Sequence, residues 1–260
     1  MIEIHSHILY GLDDGAPDLA AAQQLARDYI AQGVSDVLCT PHLTTEHSQS
    51  PATLDAYLEK RNTIQAQLTA WLAAESLPLR LHQGAELLIS SAILDILKSA
   101  TWREQITLAQ SDYILVELPS ILSGGYKALD QILFNIQILG LQPILAHPER
   151  AMKNEGFAET LAQWIDAGRV LTQINNSSFV TDPRLDPNQQ HHYHKRQAAI
   201  DYLATQDLIH FTASDAHHPI RRPVQNQLAR QTLTARFGTY CADTWTHTNP
   251  AKILTNEVIA

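Results

Sequence analysis

The chain has 260 residues, 45% hydrophobic and 17% charged, which excludes a disordered or coiled-coil protein and supplies enough apolar material for one domain spanning 1–260. With 18 Lys and Arg against 27 Asp and Glu, the net charge is −9, so nucleic acid held by bulk charge is excluded as a partner and any phosphate must be bound locally. The compositional oddity is 13 histidines, which are either scattered surface residues or in part a metal site.

In chain order, the first apolar run is Ile2–Ile4, closed by His5 and His7. No basic segment and apolar stretch precede it as a secretory signal would, and Cys39 and Cys241 form no disulfide framework, so a cytoplasmic protein is expected. Leu12-Asp13-Asp14-Gly15 reads as a turn. Leu19, Ala22, Ala26, Tyr29 and Ile30 have helical spacing, stopped at Gly33. The run Val34–Cys39 leads to His42, and a long helical stripe follows from Leu54 to Leu72. The run Leu79–His82 leads to Glu86, and Tyr113–Val116 leads to Glu117. A helix from Leu129 to Leu139 stops at Gly140; its region is interrupted by Asp130, Gln131, Asn135, Gln137, Gln142 and Pro143, so no membrane insertion is expected. Pro143–Ala146 leads to His147, a helix from Phe157 to Ile165 stops at Gly168, Val170–Ile174 follows, and Leu208–Thr212 leads to Asp215 and His217. Strand and helix alternate seven times, which predicts a parallel sheet. The length suits a closed barrel of about seven or eight strands, with an open doubly wound sheet as the second choice. No phosphate-binding glycine motif follows any run, which weakens the nucleotide-binding form of that second choice.

The histidines and acids fall where a barrel would gather them, at the carboxyl ends of strands. His5, His7, His42, His147 and His217 bring five imidazoles, and Asp14, Glu86, Glu117 and Asp215 bring four carboxylates. Buried together as bare groups they would be costly, whereas divalent cations neutralise the acids and use the ring nitrogens. Nine donors suit two or three ions sharing a carboxylate, and N/O ligands without thiolate favour Mn, Fe or Zn. Each motif has a plainer reading: Asp13-Asp14-Gly15 as a turn, Glu86 as the opening of a helix, Asp215 as a cap. It is their coincidence on one face that argues for metal.

The set Ile-His-Ser-His at 4–7, Asp-Asp-Gly at 13–15, Thr-Pro-His at 40–42, Gly-Ala-Glu at 84–86, Val-Glu at 116–117, Ala-His-Pro-Glu-Arg at 146–150 and Ala-Ser-Asp-Ala-His at 213–217 resembles the polymerase-and-histidinol-phosphatase (PHP) family. Within it, the motifs are most similar to the bacterial tyrosine-protein phosphatases linked to capsule and exopolysaccharide synthesis. That resemblance implies an α/β fold, a single distorted TIM-like (β/α)7 barrel, with a trinuclear centre discussed as manganese-dependent. It makes the nine residues above metal ligands, with Glu86 bridging, and gives Arg150 and Arg222 the substrate phosphate; Arg221 stands beside Arg222 and leaves that choice open by one residue. It also implies phosphomonoester hydrolysis by a metal-activated hydroxide, with the phosphotyrosine tail of a bacterial tyrosine autokinase as partner. Homo-oligomerisation is left open.

The rival readings are a histidinol-phosphate or other small phosphomonoester phosphatase, a nuclease-like PHP module, an amidohydrolase and a non-catalytic metal-binding regulator. The amidohydrolase would use a modified lysine where this chain has Glu117, and the regulator does not account for the arginines. Cysteine-based phosphatase chemistry is excluded, because the position six after Cys39 is Thr45 and that six after Cys241 is His247, neither an arginine. The run His191-His192-Tyr193-His194-Lys195-Arg196 reads as a solvated or interface segment ahead of a helix, Thr44–Pro51 and Phe179–Gln190 as borders of the cleft, Trp71 and Trp164 as core, and Tyr10 as a residue at the entrance.

Overall fold

The structure, a computed structural model, describes residues 1–119, 125–180 and 187–259, with the backbone alone for 187–195. All seven apolar runs become strands, and two of them continue after a break: β1 (Ile2–Ser6), β2 (Asp36–Cys39), β3 (His42–Leu43), β4 (Arg80–Gln83), β5 (Glu86–Leu88), β6 (Tyr113–Glu117), β7 (Gln142–Ala146), β8 (Leu171–Asn175) and β9 (Phe211–Ala213). The helices are α1 (Leu19–Ala31), α2 (Pro51–Ala74), α3 (Ile93–Lys98), α4 (Ala100–Ile106), α5 (Gly125–Ile138), α6 (Phe157–Asp166), α7 (Pro187–Thr205), α8 (Asn226–Asp243) and α9 (Asn249–Thr255). No helix among the described residues is long and apolar enough to cross a membrane.

Every strand pairing is parallel, as the alternation predicts, but the strands divide into two sheets, β1-β2-β4 and β3-β5-β6-β7-β8-β9. The breaks have local causes. Pro41 has no N–H for a ladder, and its carbonyl accepts the Glu86 N–H at 3.1 Å. Gly84 sits so tightly that an added Cβ would stand 3.0 Å from Leu108 and 3.3 Å from the Cys39 carbonyl. Beyond these breaks β3 and β5 pair with His42 opposite Glu86. At the other edge, the Asp215 N–H donates to the His5 carbonyl and the His7 N–H to the Ala216 carbonyl, each at 3.0 Å, tying the chain after β9 to the end of β1.

The strands are apolar without alternation because both faces are covered. One cluster gathers Ile4, Leu38, Leu115, Ile144, Leu171 and Phe211 with Ile253 of α9. The intervening residues face outward, Val37 and Cys39 against α1 and α2, and Ile114, Val116, Leu145 and Ile174 against α5, α6 and α7. Each such aliphatic side chain contributes about 1.5–3 kcal/mol by leaving water. Trp164 is core, whereas Trp71 is only part-buried and has the Arg27 guanidinium 4.9 Å from its ring centre. The hydroxyl of Tyr10 donates to Gln67 of α2. The His191–Arg196 run lies inside α7 rather than ahead of it, because that helix starts at Pro187, a favoured first-turn residue. The side chains of 191–195 and residues 181–186 of the expected cleft border lie outside the described residues.

At the opposite ends of these strands, Asp36 of β2 accepts from Arg80 at 2.7 Å and from His82 at 2.8 Å, both on β4. Burial raises its pKa, but these partners and Ser35 outweigh it and hold the carboxyl down at about 2. A carboxyl depressed in the folded state stabilises fully above its unfolded pKa of about 4, and that contribution is lost as pH falls toward about 2. Asp36→Asn should therefore lower Tm by about 2–6 °C at pH 7, and the gap should close in melts run below about pH 3.

Candidate metal centre

His5 lies within β1 and His7 just past it, His42 opens β3, Glu86 opens β5, Glu117 closes β6, His147 follows β7, and Asp215 and His217 follow β9. Asp14 enters from the loop after β1. The structure brings all nine together: they form four overlapping groups, His7-Asp14-His42-His217, His5-His147-Asp215, His5-His7-Glu86 and His42-Glu86-Glu117, whose donor atoms lie within 4.8 Å of one another. Two sequence readings need correction. His42 and Glu86 begin short strands of their own, and Glu86 opens no helix. His147 and Asp215 adopt left-handed backbone, with φ of 35° and 51°, a conformation that non-glycine residues enter only when the surroundings hold them there.

The tightest part is built from His5 Nε2, His7 Nε2, Glu86 Oε2 and Asp215 Oδ1. The two imidazole nitrogens are 3.2 Å apart, each is 3.3 Å from Glu86 and each is 3.5 Å from Asp215. Donors at about 2.0–2.2 Å from one cation, at tetrahedral corners, stand about 3.3–3.6 Å apart, so the mutual spacings of the His5, His7 and Glu86 atoms suit three ligands of one ion. Glu86 extends the cluster: Oε2 is 2.9 Å from His42 Nδ1, and Oε1 is 3.0 Å from His147 Nε2, which lies 3.7 Å from Glu117. A third group forms where Asp14 Oδ1 approaches His217 Nε2 at 3.3 Å and His42 Nε2 at 3.5 Å. Glu86 Oε2 and His217 Nε2 are buried with no hydrogen-bond partner. Orphaned buried donors and acceptors are costly unless something binds them, and the N/O chemistry here fits divalent cations.

The electrostatics show the same need for positive charge. Burial alone would lower the imidazole pKa values, yet Glu86 and Asp215 raise that of His5, and Asp13 with Glu86 pushes His7 up to about 10. Burial would raise the carboxyls, yet the imidazoles hold Glu86 and Asp215 well below the usual carboxylate range. His217 goes the other way, to about 4, through burial and the neighbouring His7. Glu117 is raised by burial and by Glu86. Protons on the imidazoles thus do in part what a cation would do for the acids.

Several supporting residues carry no distinct sequence signal. Asp13 accepts from His7 Nδ1 at 2.7 Å and from the His42 N–H at 2.8 Å, so His7 presents Nε2 to the cluster. The Asp-Asp-Gly turn reading holds one clue to this, because a Cβ on Gly15 would stand 2.4 Å from the His7 carbonyl oxygen. Strand β8 offers two amides instead of a candidate ligand: Gln173 Oε1 pairs with His5 Nδ1 at 2.8 Å, and Asn175 donates to Asp215 Oδ2 at 2.7 Å. From α2, the Tyr57 hydroxyl donates to the His42 carbonyl at 2.7 Å, and the buried Arg61 donates to the Gly84 carbonyl at 3.2 Å. Periodicity reads such residues as polar core or helix face; only the folded chain reveals their partners.

Arg150 and Arg222 both reach the cluster, donating to Asp215 Oδ2 at 2.7 and 2.6 Å. Arg221 is exposed and makes no ion pair among the described residues, so the geometry favours Arg222 over its neighbour. Cys39 is buried, its thiol pushed up to about 12 by that burial, which is inert as a nucleophile.

Residues 1–255 match the family described as Capsular polysaccharide synthesis, CpsB/CapC. Tyrosine-protein phosphatase CpsB of Streptococcus pneumoniae is 31% identical over 259 residues, covering 100% of both chains. Tyrosine-protein phosphatase YwqE of Bacillus subtilis is 30% identical over 92% of this chain and 85% of its own. A solved structure from work on YwqE of Bacillus subtilis and CpsB of Streptococcus pneumoniae, described as unique metal-dependent tyrosine phosphatases, superposes with a TM-score of 0.80 at 28% identity, covering 100% of this chain and 96% of the other. A match across nearly the whole chain, together with relatives of this identity, leads to one conclusion: the chain belongs to the capsular polysaccharide synthesis CpsB/CapC family.

Proposed function

We propose that this chain is a metal-dependent phosphotyrosine-protein phosphatase that acts on an autophosphorylated tyrosine kinase controlling capsular or exopolysaccharide synthesis. The observation that carries the reading is the pairing of nine N/O donors with two guanidinium groups on one carboxylate oxygen, a site for metal and phosphate together. On this reading residues 1–260 form one PHP-type domain, a distorted (β/α)7 barrel closed where β9 meets β1. The nine donors would hold two or three ions, most suitably manganese, with Glu86 as the carboxylate they share. Both cysteines are free thiols, which suits the cytoplasm.

The chain's own contribution follows from the geometry. When bound, the ions supply Lewis acidity and a water-derived nucleophile near neutral pH. Arg150 and Arg222 turn their forked donors from Asp215 to the phosphoryl oxygens and neutralise them. Gln173 and Asp13 keep His5 and His7 oriented through their Nδ1 atoms. A tyrosine phenolate, with a parent pKa of about 10, leaves without help from a general acid more readily than a serine alkoxide, which favours aryl esters.

The test is phosphate release by metal-loaded protein from a phosphotyrosine peptide, with histidinol phosphate and a cyclic amide as rivals. Turnover of the peptide is expected, and absence of phosphate from either ester would end the phosphatase reading. Asp13→Asn should weaken metal affinity about 10–100-fold in a direct metal titration, because the amide no longer fixes the His7 tautomer. Unchanged affinity would remove Asp13 from the support of the site.

A further inference from the structure

Next to the site lies a cavity of about 690 Å³ between the turn after β7 and α7, and Arg150 lines both. Its composition departs from that of the chain. In a protein of net charge −9, Arg150, Lys153 and Arg196 converge on this one cavity, with Met152 and Tyr202 as its less polar wall. Lys153 and Tyr202 are exposed and Arg196 is half-buried. Among the described lining residues the one acid, Glu149, is 3% exposed: its Oε1 accepts from the Ser178 hydroxyl at 2.9 Å and the Asn175 N–H at 3.2 Å, while Oε2 is buried without a partner. The cavity thus offers cations and an aromatic face, while the Glu149 carboxyl is withdrawn from it.

Those features match a peptide segment, not a second small anion. A small free anion would leave most of a cavity this size, and its Met152 and Tyr202 wall, unused, whereas a peptide can lie along that wall and bring an acidic side chain to Lys153 and Arg196. Because the Arg150 guanidinium also sits on Asp215, the occupant of this cavity would be continuous with the phosphoryl group in the site. We propose that the cavity binds the residues flanking the phosphotyrosine and selects substrates carrying a carboxylate there. The proposal rests on the phosphotyrosine reading above and adds to it a substrate class: phosphotyrosine in an acidic context.

The experiment compares two phosphotyrosine peptides on the metal-loaded full chain, identical except that Glu on both sides of the phosphotyrosine is replaced by Gln, with p-nitrophenyl phosphate as a substrate that has no flanks. The acidic peptide is expected to show a KM about three- to tenfold lower, the size of one or two partly exposed ion pairs, and raised ionic strength should shrink the gap. Lys153→Ala with Arg196→Ala should equalise the two peptides while leaving p-nitrophenyl phosphate turnover unchanged, which also reports that the variant is folded. Equal KM values in the unaltered protein would overturn the proposal. So would a gap that survives in the double variant or is indifferent to salt. Failure to hydrolyse p-nitrophenyl phosphate at all is a separate outcome, which would overturn the phosphatase reading and this one with it.

Discussion

Glu86→Gln should leave the protein folded but deprived of most of its metal, with phosphate release lowered by well over about 100-fold, the upper range for loss of a mere supporting residue. The reason is the number of partners that one carboxylate serves. Glu86 is 1% exposed and stands within 2.9–3.3 Å of nitrogens from His5, His7, His42 and His147. Gln keeps the shape but replaces one oxygen with an NH₂ that cannot ligate a cation, and it removes the charge that holds the surrounding imidazoles together. Elemental analysis of the purified variant reads the first effect and a phosphotyrosine-peptide assay the second. Circular dichroism checks the fold. Full metal content with full activity would exclude Glu86 as a shared ligand.

Removing both arginines should produce the second large effect, with a different signature. Arg150→Ala alone is expected to raise KM with metal retained, as when an interaction made equally in the ground and transition states is lost. Arg150→Ala with Arg222→Ala should lower kcat/KM by about 10²–10⁴-fold, taking about 1.5–3 kcal/mol for each set of charge-assisted hydrogen bonds. Metal stoichiometry should hold, because Asp215 Oδ2 keeps its bond from Asn175 at 2.7 Å. Lys in place of either arginine restores charge without the fork and should recover only part of the loss. If the double variant kept its kcat/KM, the phosphate would have to be bound elsewhere.

Much of this architecture could be read before folding. The apolar runs from Ile2 and from Tyr113 are buried on both sides and therefore announce themselves without ambiguity, and Gly33, Gly140 and Gly168 stop their helices in left-handed conformations, as their positions suggest. The nine donors stood out because most follow the carboxyl ends of parallel runs, which converge, although His42 and Glu86 open short strands beyond those ends and Asp14 lies in a loop. Less legible were the interruptions at Pro41 and Gly84, since a break in a buried run keeps its hydrophobicity and changes only its hydrogen bonds. Asp13, Gln173 and Asn175 were invisible for another reason. Their roles depend on what each faces across the fold, and a glutamine in an apolar run looks the same whether it orients a histidine or fills space. α3 and α4, six and seven residues long, are too short for a 3.6-residue period to stand out.

The tie between the ends of β1 and β9 has a consequence for biosynthesis. His5 and His7 are made before Asp215 and His217, which complete their groups and stand 208–212 positions later. At about 5–20 residues per second, the early histidines wait on the order of 10–40 seconds for their last partners. Until then the groups His7-Asp14-His42-His217 and His5-His147-Asp215 are incomplete. A full complement of ions would therefore load only after residue 217 has been made, and metal content would become a measure of whether β9 has docked.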